Sequence, residues 1–369
     1  MKILHITEAL GGGVVSVLSQ LAQAQAKDGH EVILLYSIRA NITPSESELA
    51  VDFPEPVQRI PIEMVTSISP AKDVRAIIML RRMIRLMKPD VVHLHSSKAG
   101  VLGGLAITLL GSPKPRYFYS PHGLSVLKQD VGNGMRLLYL MAEKFGAMLG
   151  STFVACSQSE AEVARTVIGH RKVFCIENGM DFSMLPAQAS GTAATREVIA
   201  VGRATYQKGP WRFAELAVAL RDCDAHFIWI GSGELEHELV AKSDGAVEVK
   251  TWMPRRNVIE RVSRAYVFVM TSLWEGMPVA LIEAQACGVP AVVMDAVGTR
   301  DVVQHGVTGF VCKSAAELEP SVRKLLECPE LRNKMGAKAK EQAFARFNSE
   351  RMHRGMLKLY SGCEDMANH

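Results

Sequence analysis

Short runs of β-branched residues alternate with longer segments of helical period along most of the chain, and no other feature of the sequence restricts the fold as strongly. A run such as VFVM has no polar face to offer water, so such a strand must be covered on both sides. Helices lying between successive strands supply that cover, which predicts an α/β chain with parallel sheets. Strands are expected over residues 2–6, 31–37, 57–61, 91–95, 116–120, 152–156 and 173–177, and again over 198–201, 226–230, 247–251, 266–270 and 291–294. Between the two series, residues 182–196 (FSMLPAQASGTAATR) have small residues, Pro and Gly and no sustained period, which marks a linker. A length of 369 residues suits two hydrophobic cores better than one, so the expected domains are 1–185 and 186–347.

Local chemistry sharpens these boundaries. Ser157 followed by Glu160 reads as a capping box that opens a helix just after a strand. Pro210 suits a first helical turn, and Gly288 with Pro290 closes another helix. The stretch 337–360 reads as helix interrupted near Asn348. Residues 101–110, the most apolar stretch, are too few to span a bilayer and contain two glycines, which predicts a buried helix.

Charge and cysteine usage remove several functions. A balance of 42 Lys plus Arg against 38 Asp plus Glu leaves no basic field for nucleic acid, so no nucleic-acid partner is expected. Seven scattered cysteines without a C-x-x-C pair argue for a reducing compartment and against a zinc site, so metal ligands are expected to be absent. The opening MKILHITEAL lacks the apolar core of a signal peptide, and a cytoplasmic chain is expected.

The densest chemistry lies in FVMTSLWEGMPVALIEAQACGVPAV, residues 268–292, which reads strand, loop, helix, glycine stop, strand. Glu275 and Gly276 fall in the loop at the strand's carboxyl end, Met277 and Pro278 lead into the helix, and Glu283 lies within it. Free N–H groups at such a helix start can hold a diphosphate, and acids at this edge of a parallel sheet can accept hydrogen bonds from ribose or sugar hydroxyls. Taken alone, either glutamate reads first as a solvated surface residue.

The spacing E-x7-E with G-M-P inside it resembles the motif of retaining glycosyltransferases of family 4, group 1 transferases of bacterial polysaccharide and lipopolysaccharide synthesis that have the GT-B fold. GGGVVSVLSQLAQAQAKDGHEV, SPHG, VACSQSE, IENGMD, VGRATYQKG and GVTGFV match the same family in family order. The resemblance implies two Rossmann-like domains facing a cleft: an acceptor domain, joined by a tail over 348–369, and a domain for a nucleotide sugar. That sugar is a substrate, so no cofactor is implied. Arg203 and Lys208 would neutralise the departing diphosphate, Glu275 would contact the sugar, and Glu283 the ribose. Gly13 would offer its backbone to a donor phosphate or to the acceptor, and His122 would approach the reacting carbon. Where many relatives have Glu-Arg after the glycine turn, this chain has Val15 and Ser16.

Four further features carry weaker signals. His93 and His95 alternate on one strand and face one side, which favours structural hydrogen bonds. Asp222-Cys223-Asp224 has the D-x-D spacing of a metal site but sits at a helix-to-strand turn, the wrong edge for a ligand. Gly231-Ser232-Gly233 lies at the correct edge, near where a base could pass. Residues 72–88 carry six basic residues against one acid on a helical wheel whose other face is apolar. This segment reads as a covering helix, or as one whose basic face meets an anionic membrane surface. The expected reaction moves a hexose or N-acetylhexosamine, from a UDP-sugar rather than GDP-mannose, to a glycan acceptor that is polyprenyl-diphosphate-linked in several relatives. The alternatives are a GT-B isomerase acting on UDP-N-acetylglucosamine, and a non-catalytic nucleotide-sugar-binding subunit.

Overall fold

A computed structural model describes residues 1–8, 10–39, 42–186 and 196–362. The chain forms two units, Met1–Asn178 together with the segment from Ser349, and Gly179–Asn348. Of the stretch read as a linker, residues 187–195 lie outside the described residues.

The first unit runs β1 (Lys2–Thr7), α1 (Gly13–Lys27), β2 (Glu31–Ser37), α2 (Glu46–Asp52), β3 (Gln58–Ile62), α3 (Pro70–Met87), β4 (Val91–His95), α4 (Ser97–Thr108), β5 (Arg116–Ser120), α5 (Asn133–Met148), β6 (Thr152–Ala155), α6 (Gln158–Val163) and β7 (Val173–Cys175). Its seven strands lie in the order β3-β2-β1-β4-β5-β6-β7, and every pair is parallel. The order reverses beside β1, so the carboxyl ends of β1 and β4 form the switch point where open sheets bind ligands. On one face, α3, α4 and α5 pack in succession, as right-handed crossovers require. Leu80, Ile84, Leu94, Ala106 and Phe153 are buried in the core beneath them.

The second unit runs β8 (Glu197–Val201), α7 (Pro210–Ala219), β9 (His226–Ile230), α8 (Glu236–Ser243), β10 (Val247–Lys250), α9 (Arg255–Ser263), β11 (Val267–Met270), α10 (Val279–Ala286), β12 (Ala291–Met294), α11 (Thr299–Val302), β13 (Gly309–Cys312), α12 (Leu318–Glu327) and α13 (Pro329–Arg346). Its six parallel strands are ordered β10-β9-β8-β11-β12-β13. Strand β13 was not anticipated: only four residues long, it is buried at its ends and half-buried between, so it carries no clear period. It can approach β12 because residue 309 is glycine; a Cβ there would meet the Ala291 carbonyl oxygen at 2.0 Å.

The last helix, α14 (Ser349–Ser361), belongs to the first unit, where it packs on α1 and buries Met352, Met356, Leu359 and Tyr360. His353 Nε2 lies 2.7 Å from the Asp28 carboxylate just past the end of α1. The break expected near Asn348 falls there, although the helix before it begins earlier than residue 337, at Pro329. The expected buried helix over 101–110 is the body of α4. Asp222-Cys223-Asp224 is the expected turn between α7 and β9, and Asp222 pairs with Arg323 at 2.7 Å.

Candidate active site

In the second unit, loop 202–209 after β8 and loop 271–278 after β11 are tied together at the carboxyl edge of the sheet. The Leu273 amide donates to the Gln207 carbonyl at 2.8 Å, and the Thr271 hydroxyl donates to the Lys208 carbonyl at 2.8 Å. Gln207 Nε2 donates to the Trp274 carbonyl at 2.9 Å. This lacing presents Lys208 Nζ to Glu275 Oε1 at 2.6 Å, with both side chains largely buried. Glu275 is therefore a held carboxylate, and its second oxygen has a long contact of 3.5 Å to Gln207. Arg203 differs: it is exposed, and its guanidinium has no partner among the described residues.

Residues Glu275, Gly276, Met277 and Pro278 are all buried, and Pro278 stands immediately before the first turn of α10. Gly298 makes this loop possible, because a Cβ at residue 298 would meet the Gly276 carbonyl oxygen at 2.2 Å, and its φ of +85° suits glycine. Glu283 is 5% exposed inside α10 and accepts from Arg255 Nε at 2.7 Å. Burial raises its carboxyl above the ordinary range, and Arg255 opposes the rise. Gly231 and Gly233 back directly onto the carbonyls of Gly202 and Ala204, so that turn supports the Arg203 loop.

In the first unit, α1 begins at Gly13, exposed behind Gly12 at φ +54°. Val15 and Ser16 are buried, and the Ser16 hydroxyl has no hydrogen-bond partner among the described residues. His122 occupies a left-handed conformation, φ +55°, in the turn after β5. Buried Glu160 clamps that turn: its carboxylate accepts from the Gly123 and Cys156 amides, each at 2.9 Å, while its own amide donates to the Ser157 hydroxyl at 3.2 Å. His122 Nε2 lies 2.9 Å from His95 Nδ1, the two rings stacked, and burial pushes His122 down to about 4.

His93 and His95 face one side of β4, as expected, and His5 on β1 joins them. Among the described residues these three form the one group able to gather round a metal ion. All six of their ring nitrogens already lie in hydrogen bonds.

The structure thus brings Lys208, Glu275, Gly276, Met277 and Pro278 together, places Glu283 one helical segment on with Arg255, and leaves Arg203 reaching into solvent. His122 and Gly13 stand at the edge of the other sheet. Gln207, Arg255, Gly298 and the clamping role of Glu160 escaped sequence reasoning; the run PRRN at 254–257 was the one signal that a cation follows β10.

Two family models match the chain in succession: Glycosyltransferase Family 4 over residues 11–183 and Glycosyl transferases group 1 over residues 189–342. The chain is 30% identical over 266 residues to the UDP-Gal:alpha-D-GlcNAc-diphosphoundecaprenol alpha-1,3-galactosyltransferase of Escherichia coli, covering 66% of this chain and 68% of that one. It is 24% identical over 317 residues to the N,N'-diacetylbacillosaminyl-diphospho-undecaprenol alpha-1,3-N-acetylgalactosaminyltransferase of Campylobacter jejuni, covering 80% and 82%. Among solved structures, sucrose-phosphate synthase from Thermosynechococcus elongatus superposes with a TM-score of 0.82 at 19% identity, over 98% of this chain and 99% of that one. Anabaena HepE in complex with UDP and glucose gives 0.77 at 18%, over 98% and 99%. At such identities the two structures show the fold, the two parallel-sheet units of the GT-B class.

Proposed function

This chain belongs to the group 1 glycosyl transferases of glycosyltransferase family 4, and from that membership we propose that it moves a hexose or N-acetylhexosamine from a UDP-sugar to a polyprenyl-diphosphate-linked glycan in cell-surface polysaccharide synthesis. Transfer proceeds with retention and without a metal ion. The bond from the anomeric carbon to the diphosphate breaks, the acceptor oxygen bonds to that carbon, and the acceptor's proton leaves with the released UDP. The observation that carries the reading is the Lys208–Glu275 pair held beside the start of α10. Negative charge grows on the leaving diphosphate, and Lys208, Arg203 and the α10 N–H groups are the positive groups that meet it, the task a metal ion performs in other enzymes. Glu275 accepts from sugar hydroxyls and Glu283 from the ribose. The second unit is the donor domain, and the first, with Gly13 and His122, is the acceptor domain.

The lipid-linked acceptor is supported by the two named relatives, each of which acts on a diphosphoundecaprenol-linked substrate, and by the surface of the first unit. No helix among the described residues is long and apolar enough to cross a membrane. All six basic residues of 72–88 are exposed on and just after α3, together with Ile78 and Leu86. Two helices along the same layer, α5 exposes Leu137, Leu138, Met141 and Met148, while its one buried residue is Glu143. Cations beside uncovered apolar side chains suit an anionic lipid surface, so the protein works at the cytoplasmic face of a membrane without spanning it.

The test is incubation with UDP-galactose, UDP-N-acetylgalactosamine, UDP-N-acetylglucosamine and GDP-mannose, each with a polyprenyl-diphosphate-linked N-acetylhexosamine, with and without EDTA. Acceptor-dependent UDP release that survives EDTA, and an α-linked product by NMR, are expected. Epimerised donor without transfer would establish the isomerase, binding without turnover the non-catalytic subunit, and activity restored by manganese would refute metal independence.

A further inference from the structure

We infer that Arg255 and Glu283 grip the two vicinal hydroxyls of the donor's ribose as a matched donor and acceptor, so that Arg255 is the residue that makes the site choose ribonucleotides over deoxyribonucleotides. The inference rests on Glu283 as the ribose acceptor, the role given to it under the proposed function. Both residues belong to the second unit. Arg255 is the first residue of α9, which follows β10, and Glu283 lies in the second turn of α10, which follows β11. The two helices pack together. Because the strands are parallel, both helices start at the carboxyl edge of the sheet, the edge that also carries Lys208 and Glu275.

The observation that calls for a ligand is an atom without a partner. Arg255 Nε donates to Glu283 Oε1 at 2.7 Å, yet Arg255 Nη2, shielded from solvent, meets no acceptor among the described residues. A buried donor in that state is destabilising until something accepts from it. The shape of a guanidinium says where that something lies. Its Nε–H and one Nη2–H point the same way, a fork that suits both oxygens of a carboxylate. Here only the Nε tine is engaged. Nη2 is therefore a donor held beside the Glu283 carboxylate, which takes no second hydrogen bond within the described residues.

Charge decides what can occupy such a place. Burial favours the neutral form of Glu283 and Arg255 opposes it, so one member of the pair accepts while the other donates. Their charges offset each other, which removes the attraction a phosphate oxygen would need. A hydroxyl has both capacities: it gives its proton to the carboxylate and accepts from Nη2 with a lone pair. Hydroxyls on adjacent carbons can use both members at once. In a nucleoside diphosphate the base carries no hydroxyl and the diphosphate is anionic, so the ribose diol is the part that fits. Removing one of its hydroxyls leaves a buried polar group unmatched, and a site of that kind rejects the analogue strongly.

The test is calorimetry with UDP, 2′-deoxy-UDP and 3′-deoxy-UDP, without sugar or acceptor, on the full chain and on Arg255→Lys and Arg255→Met. In the unsubstituted protein at least one deoxy nucleotide should bind about tenfold more weakly than UDP, or worse. Lysine keeps a cation for Glu283 but has no second nitrogen in a fork, and methionine keeps neither. In both variants the preference for UDP should shrink below about threefold. The Arg255 side chain is 26% exposed, so both variants should retain the far-ultraviolet dichroism of the fold, and the lysine variant alone suffices if methionine does not. If Arg255 only holds the Glu283 charge, lysine preserves the preference, and that result overturns the inference. Equal binding of all three nucleotides by the unsubstituted protein does so too, while leaving the transferase reading intact. Failure of the unsubstituted protein to bind UDP at all would remove both.

Discussion

Two buried carboxylates in one motif face different partners: Lys208 holds Glu275 at the helix entrance, and Arg255 holds Glu283 within α10. Under the proposed function the first meets the charge that develops during transfer and the second the ground-state complex, so their variants should differ in turnover. Glu283→Ala should raise the dissociation constant for UDP about tenfold, about 1.4 kcal/mol, with a smaller change in kcat. Glu275→Gln should lower kcat on the order of 100-fold with UDP affinity nearly unchanged. Calorimetry with UDP beside steady-state kinetics decides between them, and equal losses of UDP affinity would remove the distinction. The E-x7-E spacing made both residues legible in the sequence, but their partners stand 67 and 28 positions away, and loop geometry chose them. A third carboxyl was invisible until the fold placed it: Glu143 is buried in α5 beneath the Tyr119 hydroxyl, 3.0 Å away, and burial pushes it up to about 7. Its unfolded value is 4.5, so the native state holds an extra proton between these values and stability falls as pH rises through that window. Glu143→Gln should therefore stabilise the protein by about 2 to 3 kcal/mol at pH 8 and little near pH 4.5. Urea unfolding at the two pH values is the measurement; an equal shift at both would disprove the assignment.

Strands proved easier to read from the sequence than the outward faces of helices. Five central runs were placed to the residue because a strand buried on both faces is continuous in the sequence, whereas β13 has too few residues to show a pattern. Helix α5 inverts the usual rule that apolar residues point inward. Its less exposed side carries Tyr139, Leu140, Glu143, Gly146 and Ala147, and Met135, Leu137, Leu138, Met141, Phe145 and Met148 are left outside. Periodicity reports which residues share a face and is silent about which face meets the core. If that outward face rests on lipid, Leu137→Glu with Met141→Glu should reduce sedimentation with phosphatidylglycerol vesicles at least tenfold. Both residues are already 59% exposed, so the thermal midpoint should move by no more than a degree or two. Undiminished sedimentation of the double variant would clear α5 of the role. Charge reversal at Arg82 and Arg85 should weaken binding further and make it less sensitive to salt.

Across the whole molecule, the alternation of strand and helix announced both sheets, while the grouping of the chain's last helix with its first unit came from family resemblance and from no local signal. That grouping carries much of the first unit's stability. Each of Met352, Met356, Leu359 and Tyr360 is buried, and each loses about 1.5 to 3 kcal/mol if left without cover. Together this rivals the 5 to 15 kcal/mol that holds a typical domain. A chain ended at Asn348 should lose amide-exchange protection throughout β1, β2 and β4 while the strands of the second unit keep theirs. Retained protection in β1 would show that α14 is dispensable. The same arrangement sets an order of events during synthesis. The half encoded first is completed last, because the ribosome reaches Tyr360 only after it has made the whole of the second unit. Until then α1 waits with a bare apolar flank, and His93 lacks the Tyr360 hydroxyl that meets its Nδ1. A nascent chain thus holds a finished second unit while the first still lacks its closing helix, so the half made first stays open to proteases and chaperones for the longer time.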